Sequence, residues 1–473
     1  MLLLGIEEVL GTVRERNVRW IELQFTDLEG RLRSVILPAR RLSTESFSRG
    51  FGKLDGSSVK GFKSIEESDL VLVPIPETFA ILPWSYDGGT TARFISKIYD
   101  TYGGGRFIKD PRYVAERALS LAKNEGYIPY FGPEIEFFIF DHVSVDMSRP
   151  YFSSSYKIIS CEAPWNGKTP VLRFKEGYCP ASPYDRVLKI RQEATRILED
   201  YFNIPVESHH HEVATAGQSE INIRFNDIVR AADAIMTLKY VVKSVAAKYG
   251  MVATFMPKPL YGDNGSGLHA NVSLFSTDKG DNLFYDPNDE YAELSQLGRY
   301  FIGGLLDHAR ALAAIVAPTV NSYKRLVPGY EAPVYIVWSR ANRSACVRVP
   351  VYHRGDRNKR VEFRPPDPSS NPYLAFSAIL AAGLDGIRRR IDPGDPIDED
   401  VYRMSPERRT ALGIKELPGS LKEAIEELES DNEFLRPIFP SELIETYIDI
   451  KKKEWVELNT YVTPAEIYRY IDI

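Results

Sequence analysis

The amino-acid sequence predicts an α+β fold in two domains, and three observations support this. Residues 18–37 alternate between apolar and polar side chains around a Glu29-Gly30 turn, which predicts a β-hairpin preceded by a short helix. After residue 110, segments with helical periodicity alternate with shorter strand-like segments. The chain has 473 residues, more than a typical single domain. A small β-rich domain followed by a large α+β domain accounts for all three.

The boundary between the two domains is predicted near residue 105. Three consecutive glycines at 103–105 come just before Asp110-Pro111, where a helical pattern begins. We therefore expect a first domain over residues 1–105 and a second over residues 106–473.

The second domain is expected to contain most of the helices. Helical periodicity covers residues 111–125, 184–202, 227–249, 289–316, 371–391, 420–429 and 440–457. Residues 142–182 are rich in Ser, Pro and aromatic side chains without a clear period, which predicts a long loop.

Composition and charge favour small molecules as ligands. The net charge of −6 is modest, and no long basic block supplies the electrostatic footprint that nucleic acids or anionic lipids require. No apolar stretch approaches the roughly 20 residues needed to cross a bilayer. The three cysteines lack metal-type pair spacing, and no signal sequence is recognisable, so we expect a cytoplasmic protein. Neither nucleic acid nor a membrane is an expected partner.

Four strand-like segments carry polar side chains on one face. In residues 132–140, the two-residue period of a strand places Glu134 and Glu136 on one face and apolar side chains on the other. The same pattern recurs with Glu220, Asn222 and Arg224, with His269, Asn271 and Ser273, and with Arg360, Glu362 and Arg364. It predicts one sheet whose apolar face is covered by helices and whose polar face lines a cavity.

The carboxylates of these strands predict a metal site. The candidate ligands are rich in oxygen and include no thiolate: Glu134, Glu136, Glu212, Glu220, His269 and Glu362. Such a set favours Mg²⁺ or Mn²⁺ over zinc, and five glutamates are enough for two ions. For Glu134 and Glu136 alone, a solvated sheet face would be an equally good explanation. The three histidines 209–211 are also compatible with zinc, but we interpret them mostly as flanking structure.

A cluster of arginines provides a second indication of a functional site. Six of them lie within a short part of the C-terminal half: Arg325, Arg343, Arg348, Arg357, Arg360 and Arg364. Several alternate with apolar strand positions, which favours a site that clamps carboxylate or phosphate over a surface patch. Paired metal ions with convergent arginines are typical of phosphoryl transfer.

One apparent phosphate-binding motif does not qualify. Gly167-Lys168-Thr169 looks like the end of a P-loop, but position 162 is Glu where the motif requires Gly, and no strand leads into it. Nucleotide binding is therefore expected from another architecture.

These segments resemble the signature blocks of the glutamine synthetase family, in family order from about residue 15 to the end of the chain. Further blocks at 54–58, 264–267 and 321–333, the last followed by 342–345, belong to the same resemblance. It implies an N-terminal β-grasp domain and a C-terminal catalytic domain with an antiparallel sheet backed by helices. It also implies a homo-oligomer, a dodecamer of two hexameric rings with active sites between neighbouring subunits.

The resemblance further implies a role for each candidate residue. Of two or more Mg²⁺ or Mn²⁺ ions, one would be held by Glu136, Glu212 and Glu220, and one beside the ATP phosphates by Glu134, His269 and Glu362. Glutamate would contact Asn264, Gly265, Arg325, Arg343 and Arg364, and ATP would contact Glu207, Phe225, Ser273, Arg348, Arg357 and Arg360. Ammonium would contact Asp55 of the neighbouring subunit, Ser58, Tyr178 and Glu212, and Glu331 would lie on a flap over glutamate.

The implied activity is ATP-dependent synthesis of glutamine. ATP would phosphorylate the γ-carboxylate of glutamate, ammonia would attack the acyl phosphate, and Asp55 would accept the proton that ammonium loses. Two alternatives remain open: a γ-glutamyl ligase for a larger amine such as a polyamine or ethanolamine, and a non-catalytic structural or regulatory relative. Intact Asp55, Ser58 and Glu212 favour ammonia, and the retention of all six metal positions disfavours the non-catalytic relative.

The chain departs from the family pattern at a few positions. Asn271 stands where many bacterial members have a histidine, and Leu54 replaces the usual phenylalanine. Ser64 occupies a position where a glutamine-inhibited subclass has an arginine, so that feedback mechanism is not assumed. Tyr402 lies near the position at which another subclass is adenylylated, but its neighbours differ and we expect it to be unmodified.

Overall fold

The computed structural model describes residues 5–166, 172–351 and 355–472. The Gly167-Lys168-Thr169 segment therefore lies outside the described residues. No helix within the described ranges is long and apolar enough to cross a membrane.

The first part of the chain forms one mixed sheet. Its elements are α1 (Ile6–Glu15), β1 (Val18–Thr26), β2 (Leu32–Pro38), α2 (Ser46–Arg49), β3 (Phe51–Asp55), β4 (Asp69–Pro74), β5 (Ala80–Ile81) and β6 (Thr90–Asp100). The predicted hairpin at 18–37 is confirmed as the antiparallel pair β1–β2. The strand order is β2-β1-β6-β4-β3, with β5 beside β6, and β1 and β6 run parallel. The buried side chains Leu23 and Phe94 pair across these two strands and begin the core.

The second part contains a ten-stranded sheet and a separate hairpin. Its strands are β7 (Tyr127–Phe140), β8 (His142–Arg149), β9 (Ser153–Ile159), β10 (Val206–His211), β11 (Gln218–Ile223), β12 (Asn226–Asp227), β13 (Val252–Thr254), β14 (Leu268–Ser276), β15 (Tyr335–Ser339), β16 (Ala345–Arg348), β17 (Val361–Phe363) and β18 (Lys415–Glu416). The main order is β10-β11-β7-β14-β17-β16-β15-β18, and β12 and β13 also pair with β7. All its pairs are antiparallel except β15–β16.

Eleven helices of the described chain follow β6. They are α3 (Pro111–Asn124), α4 (Leu188–Phe202), α5 (Ile228–Lys248), α6 (Gln296–Asp307), α7 (Ala309–Val316), α8 (Ser322–Arg325), α9 (Pro372–Arg389), α10 (Pro406–Ala411), α11 (Leu421–Ser430), α12 (Ser441–Asn459) and α13 (Pro464–Tyr470). The segments predicted at 111–125, 227–249 and 371–391 match α3, α5 and α9 closely. The single helix predicted at 289–316 is wrong, because Ser295 caps the start of α6 and His308 separates it from α7.

The expected long loop at 142–182 is also wrong in part, because β8 and β9 form a hairpin there. Most side chains of both strands are exposed, so neither face shows the apolar alternation that reveals a half-buried strand in a sequence.

Helices cover the apolar face of the main sheet, as the strand pattern predicted. Helices α3 and α5 pack against β7, and α9 lies across α3, α5 and α6. The ring of Phe131 in β7 stacks on Phe376 in α9 with 4.5 Å between ring centres. Gly304 permits α6 to approach α9 closely, because a Cβ there would lie 2.0 Å from the carbonyl oxygen of Ala382. The polar face of β7 is thereby left as the open side of the sheet.

The two sheets are joined by polar contacts and a shared core. Arg93 in β6 donates from Nη2 to Thr237 Oγ1 in α5 over 3.1 Å, and Asn371 donates from Nδ2 to the carbonyl oxygen of Asp27 over 2.9 Å. Apolar side chains of both parts belong to one buried cluster.

His308 lies between α6 and α7 and makes ion-pair contacts with Asp385 of α9 and with Asp431, which follows α11. Its Nδ1 lies 2.7 Å from Asp431 Oδ2 and its Nε2 lies 3.0 Å from Asp385 Oδ2, so both ring nitrogens donate to carboxylates when the ring is protonated. Burial opposes this charge, but the two hydrogen bonds outweigh it and raise the pKa of His308 above 6.5. Asp307 and Arg389 complete the charged surroundings, with Arg389 bonded to Asp385.

We expect the stabilising effect of His308 to be present below pH 6.5 and to be lost as pH rises through its raised folded-state pKa. His308→Gln should therefore destabilise the protein by about 1 kcal/mol at pH 6 and by less at pH 9. Denaturant unfolding of both proteins at the two pH values measures this, with His142→Gln as a control at an exposed histidine. An equal loss at both pH values would contradict the charged hydrogen-bond arrangement.

Candidate active site

The candidate site is built on the polar face of β7 and its two neighbours. In the strand register, Glu134 of β7 lies between Asn222 of β11 and His269 of β14. Two residues along, Glu136 pairs with Glu220. These side chains share one face because they occupy alternate positions on strands in register. The four predicted polar strands are thus neighbours in one sheet.

Two groups of potential metal ligands lie on this face. Oxygen and nitrogen atoms of Glu134, Glu220 and His269 lie within 4.8 Å of one another, and so do those of His210, Glu212 and Glu220. The groups share Glu220, whereas the resemblance divided the ligands without overlap.

His210 belongs to one of these groups, although it was predicted to be mostly flanking structure. It pairs with Glu220 across β10 and β11, and its ring nitrogens lie 3.4 Å from Glu212 Oε1 and 3.3 Å from Glu220 Oε1. The neighbouring His211 points the other way and bonds the buried Glu162 over 2.9 Å. Strand alternation places His210 and His211 on opposite faces, and the strand register with β11 decides that the face of His210 is the one that meets Glu220.

Burial and mutual repulsion oppose the simultaneous ionisation of the carboxyl groups on this face. Burial, with Glu212 and Glu220 nearby, raises the pKa of Glu136 well above its usual value. Burial and the charge of Glu220 likewise raise the pKa of Glu212 to about 7, although His210 opposes this. A hard divalent cation would relieve this repulsion.

Asn222 provides an independent sign of a ligand. Its Nδ2 donates to Ser208 Oγ over 3.1 Å, while its buried Oδ1 has no hydrogen-bond partner among the described residues. An unpaired buried oxygen beside carboxylates is an acceptor that a bound ion, its water or a polar substrate would satisfy. The donor set therefore fits Mg²⁺ or Mn²⁺.

Glu362 sits deeper than the other candidate metal ligands. It is fully buried, and it accepts hydrogen bonds from Arg348 Nε over 2.6 Å and from Arg364 Nη1 over 2.5 Å. Its Oε1 also lies 4.0 Å from His269 Nδ1, while that nitrogen lies 3.1 Å from Glu134 Oε2. Glu362 is thus beside the predicted ligands Glu134 and His269, and in this structure both its oxygens are engaged by arginines.

A cavity of about 630 Å³ opens over these carboxylates. It is lined by every residue expected to contact glutamate, and by others expected at the metal, ammonium and nucleotide sites: Asn264, Gly265, Arg325, Arg343, Arg364, Glu134, Glu136, Glu212, Glu220, His269, Tyr178, Glu331 and Arg348. Arg325 is buried and held by the carbonyl oxygens of Pro365 and Arg364, at 2.8 and 3.2 Å. Lys175 and Tyr330, which the sequence did not predict as site residues, also line it.

A second cavity of about 370 Å³ adjoins the first. It is lined by five of the six residues expected to contact ATP, namely Glu207, Phe225, Ser273, Arg357 and Arg360. Glu134 and Asn222 line both cavities, so the two spaces meet at the carboxylate cluster. Phe225 is half exposed at the wall of this cavity.

Asn271 connects the second cavity to the carboxylates. Its Nδ2 donates to Glu134 Oε1 over 3.0 Å and to the carbonyl oxygen of Gly132 over 3.1 Å, while its Oδ1 accepts from Arg360 Nε over 3.0 Å. Both ends of the amide are therefore used. The side chain fixes Arg360 toward one cavity and Glu134 toward the other.

Asp55 and Ser58 are not brought to either cavity within one chain. They lie in the first sheet, where Asp55 is exposed and accepts hydrogen bonds from Ser57 and from Ser58 Oγ. These bonds lower the pKa of Asp55, so the carboxylate is ionised at neutral pH. Their expected place in an ammonium site requires a second subunit and stays a prediction.

Known proteins match this chain along its whole length. The model of the glutamine synthetase β-grasp domain matches residues 17–101, and that of the glutamine synthetase catalytic domain matches residues 108–470. The chain therefore belongs to the glutamine synthetase family, whose members are generally dependent on ATP and divalent metal ions and are generally oligomeric.

Individual relatives agree with the family models. A glutamine synthetase of Sulfolobus acidocaldarius is 58% identical over 98% of both chains, and one of Thermotoga maritima is 47% identical over 98% of this chain and 99% of its own. The solved glutamine synthetase of Plasmodium falciparum superposes with a TM-score of 0.88 at 29% identity, with 98% of each chain covered. A complex of GmaS with ADP superposes with a TM-score of 0.83 at 30% identity, covering 98% of this chain and 99% of its own.

We expect Glu220 to influence both ion sites because it belongs to both ligand groups. Glu220→Gln should weaken the binding of two Mn²⁺ ions by roughly 100-fold each, whereas Glu212→Gln should weaken one. Calorimetric titration with Mn²⁺ measures both affinities and the stoichiometry. Glu426→Gln, at an exposed position of α11, is the matched control. Retention of one wild-type ion site in Glu220→Gln would contradict the shared-ligand arrangement.

Two substitutions separate the two functions of Asn271. Asn271→Leu removes the acceptor for Arg360 and should lower affinity for ADP by about tenfold, since a hydrogen bond to a charged group is lost. Asn271→Asp keeps an acceptor and should lower it by less than about threefold, while placing a like charge against Glu134. Calorimetry with ADP and without divalent metal measures both. Equal losses in the two variants would show that Arg360 does not depend on this contact.

Proposed function

We propose that this protein is a glutamate-ammonia ligase that uses ATP to join ammonia to the γ-carboxylate of L-glutamate. The observation that carries the proposal is the meeting of two cavities at one carboxylate cluster, with arginines around it. The 58% identity to a glutamine synthetase over the full length supports it. We place the β-grasp domain at residues 1–105 and the catalytic domain at residues 106–473.

The carboxylate cluster is the proposed site of two or more Mg²⁺ or Mn²⁺ ions. Glu136, Glu212 and Glu220 would hold one ion, and Glu134, His269 and Glu362 would hold another, with Glu220 close enough to contact both. His210 is added to the first group because it contacts two of its members. When bound, the ions would neutralise phosphate charge and orient the ATP phosphates toward the substrate.

The larger cavity is the proposed glutamate site and the smaller one the proposed ATP site. Asn264, Gly265, Arg325, Arg343 and Arg364 would bind glutamate, and Glu207, Phe225, Ser273, Arg357 and Arg360 would bind ATP. Arg348, which lines the larger cavity, would contact ATP from that side. This arrangement directs the γ-carboxylate toward the γ-phosphate at the shared wall. Guanidinium groups suit both ligands because they form paired hydrogen bonds with planar carboxylates and with phosphates.

The first chemical step is phosphoryl transfer. A γ-carboxylate oxygen attacks the γ-phosphorus of ATP, the bond from that phosphorus to the bridging oxygen breaks, and ADP leaves with the bonding electrons. Arg343 and Arg364 would stabilise negative charge on the transferring phosphoryl group. Glu362 holds Arg364 in place through its buried hydrogen bond.

The second step is attack by ammonia. Ammonium loses a proton to a carboxylate, for which we propose the partner subunit's Asp55, and the neutral nitrogen attacks the acyl carbon. Phosphate then leaves, and a proton is lost from nitrogen to give glutamine. Ser58, Tyr178 and Glu212 would complete the ammonium site, and Glu331 would close over the intermediate and exclude water.

Exposed apolar segments support a homo-oligomer, for which we propose a dodecamer of two hexameric rings. The β8–β9 hairpin exposes 89% of Tyr151 and 79% of Phe152, and the C-terminal segment exposes 90% of Tyr468 and 75% of Ile471. Large apolar side chains grouped in this way are typical of surfaces that another copy covers. A cytoplasmic location is part of the same proposal.

An amine-dependence assay tests the proposed function. We expect glutamate-dependent phosphate release and glutamine formation with ammonium, and little stimulation by ethanolamine or polyamines. Asp55→Ala should lower turnover with ammonium by about 100-fold because the proton acceptor is lost. Activity with a larger amine and none with ammonium would favour a γ-glutamyl-amine ligase. No glutamate-dependent reaction with any amine would favour a non-catalytic relative.

A further inference from the structure

An unusual pair of contacts surrounds Tyr330, which lines the larger cavity. The Nζ atoms of Lys258 and Lys175 lie 3.7 and 4.3 Å from the centre of its ring. Lys175 Nζ also donates to the carbonyl oxygen of Gly329 over 3.4 Å. Two ammonium groups this close to one ring repel each other, and the negative charge density of the ring face offsets that repulsion.

The residues that follow Tyr330 are held in a constrained conformation. Glu331 has a φ of 59°, a left-handed backbone conformation that non-glycine residues adopt at a cost. On its other side, the carbonyl oxygen of Ala332 accepts a hydrogen bond from the hydroxyl of Tyr402. Glu331 is therefore fixed between two anchored neighbours, at the wall of the cavity.

Both lysines are themselves attached to loops of that cavity. The backbone nitrogen of Lys175 donates to Thr215 Oγ1 over 3.3 Å, and the backbone nitrogen of Thr215 donates to Asp263 Oδ2 over 2.8 Å. Lys258 Nζ donates to the carbonyl oxygen of Asp263, and Lys258 is fixed by two hydrogen bonds to Asn321. Hydrogen bonds thus join the three loops that carry Lys175, Thr215 and Lys258. Tyr330 packs against two of these loops through the lysine side chains.

We propose that Tyr330 is a positioning residue that docks the Glu331 segment onto Lys175 and Lys258, so that the loops carrying Tyr178, Glu331 and Asn264 close the cavity as one unit. This inference rests on the proposed function and deepens it. Tyr330 would take no part in the bonds that form and break. It acts through the placement of Glu331 and of the loop that carries Tyr178.

The chemical consequence concerns water. If the segment is undocked, water reaches the acyl phosphate, its oxygen attacks the acyl carbon, and the bond from that carbon to the phosphate oxygen breaks. Glutamate and phosphate are released and a proton is lost, so ATP is consumed without glutamine being formed. Docking by Tyr330 prevents this loss because it keeps the cavity closed while the intermediate exists.

The ratio of phosphate released to glutamine formed tests the inference at limiting ammonium. The wild-type ratio should be near one. In Tyr330→Leu and Lys175→Met, the ratio should rise by roughly threefold or more, because the cation–ring contacts are lost. Tyr330→Phe keeps the ring and should restore a ratio near one. Tyr261→Leu, at a 96% exposed tyrosine on the loop of Lys258, is the matched control.

A purely structural effect would lower phosphate release and glutamine formation together and leave their ratio unchanged. An unchanged ratio in Tyr330→Leu and Lys175→Met would therefore overturn the inference. So would a Tyr330→Phe variant that behaves like Tyr330→Leu.

Hydrogen exchange provides a readout that does not depend on activity. In Tyr330→Leu, amide exchange should increase at 173–178 together with 329–332, because the two segments lose their common contact. An increase confined to 329–332 would overturn the linkage between the loops. Absence of any glutamate-dependent phosphate release in the wild type would contradict the proposed function, while the exchange result would still decide whether Tyr330 links the loops.

Discussion

Crowding of carboxylates on the polar face of β7 imposes the main physical constraint on this molecule. Glu134, Glu136 and Glu220 point into one partly buried space, and burial together with the charges of Glu212 and Glu220 raises the pKa of Glu136 well above its usual value. A fold tolerates such a cluster when cations and hydrogen-bond donors converge on it. Histidines, arginines and the amide of Asn271 do converge there, and the space left between them suits divalent ions.

The rigid part of the site follows from this constraint. Glu362 is buried with Arg348 and Arg364, so a charge that would be costly alone is paired on both sides. Arg325 is fixed by backbone carbonyl oxygens of the segment that follows β17. Strands in register and helices packed behind them hold these groups at fixed distances. Preorganised charge of this kind favours phosphoryl transfer because little reorganisation is needed during the reaction.

The adaptable part of the site lies in its loops. The segments around Lys175, Lys258 and Tyr330 meet through cation–ring contacts and hydrogen bonds, which are individually weak and readily broken. In the proposed function, the sheet positions the charged groups and the loops control access to the cavity. Both the sheet and these loops lie within residues 108–470, the part of the chain that matches the glutamine synthetase catalytic domain.

The sequence by itself determined the α+β class, the hairpin at its start and the polar faces of four strands, because a two-residue period records which side of a strand is buried. It did not reveal the β8–β9 hairpin, whose side chains are mostly exposed on both faces. Tertiary structure alone decided that Glu220 belongs to two ligand groups, that His210 points inward and that both cavities share Glu134. These facts depend on strand register and loop packing, which join residues far apart in the chain and leave no local periodic signal.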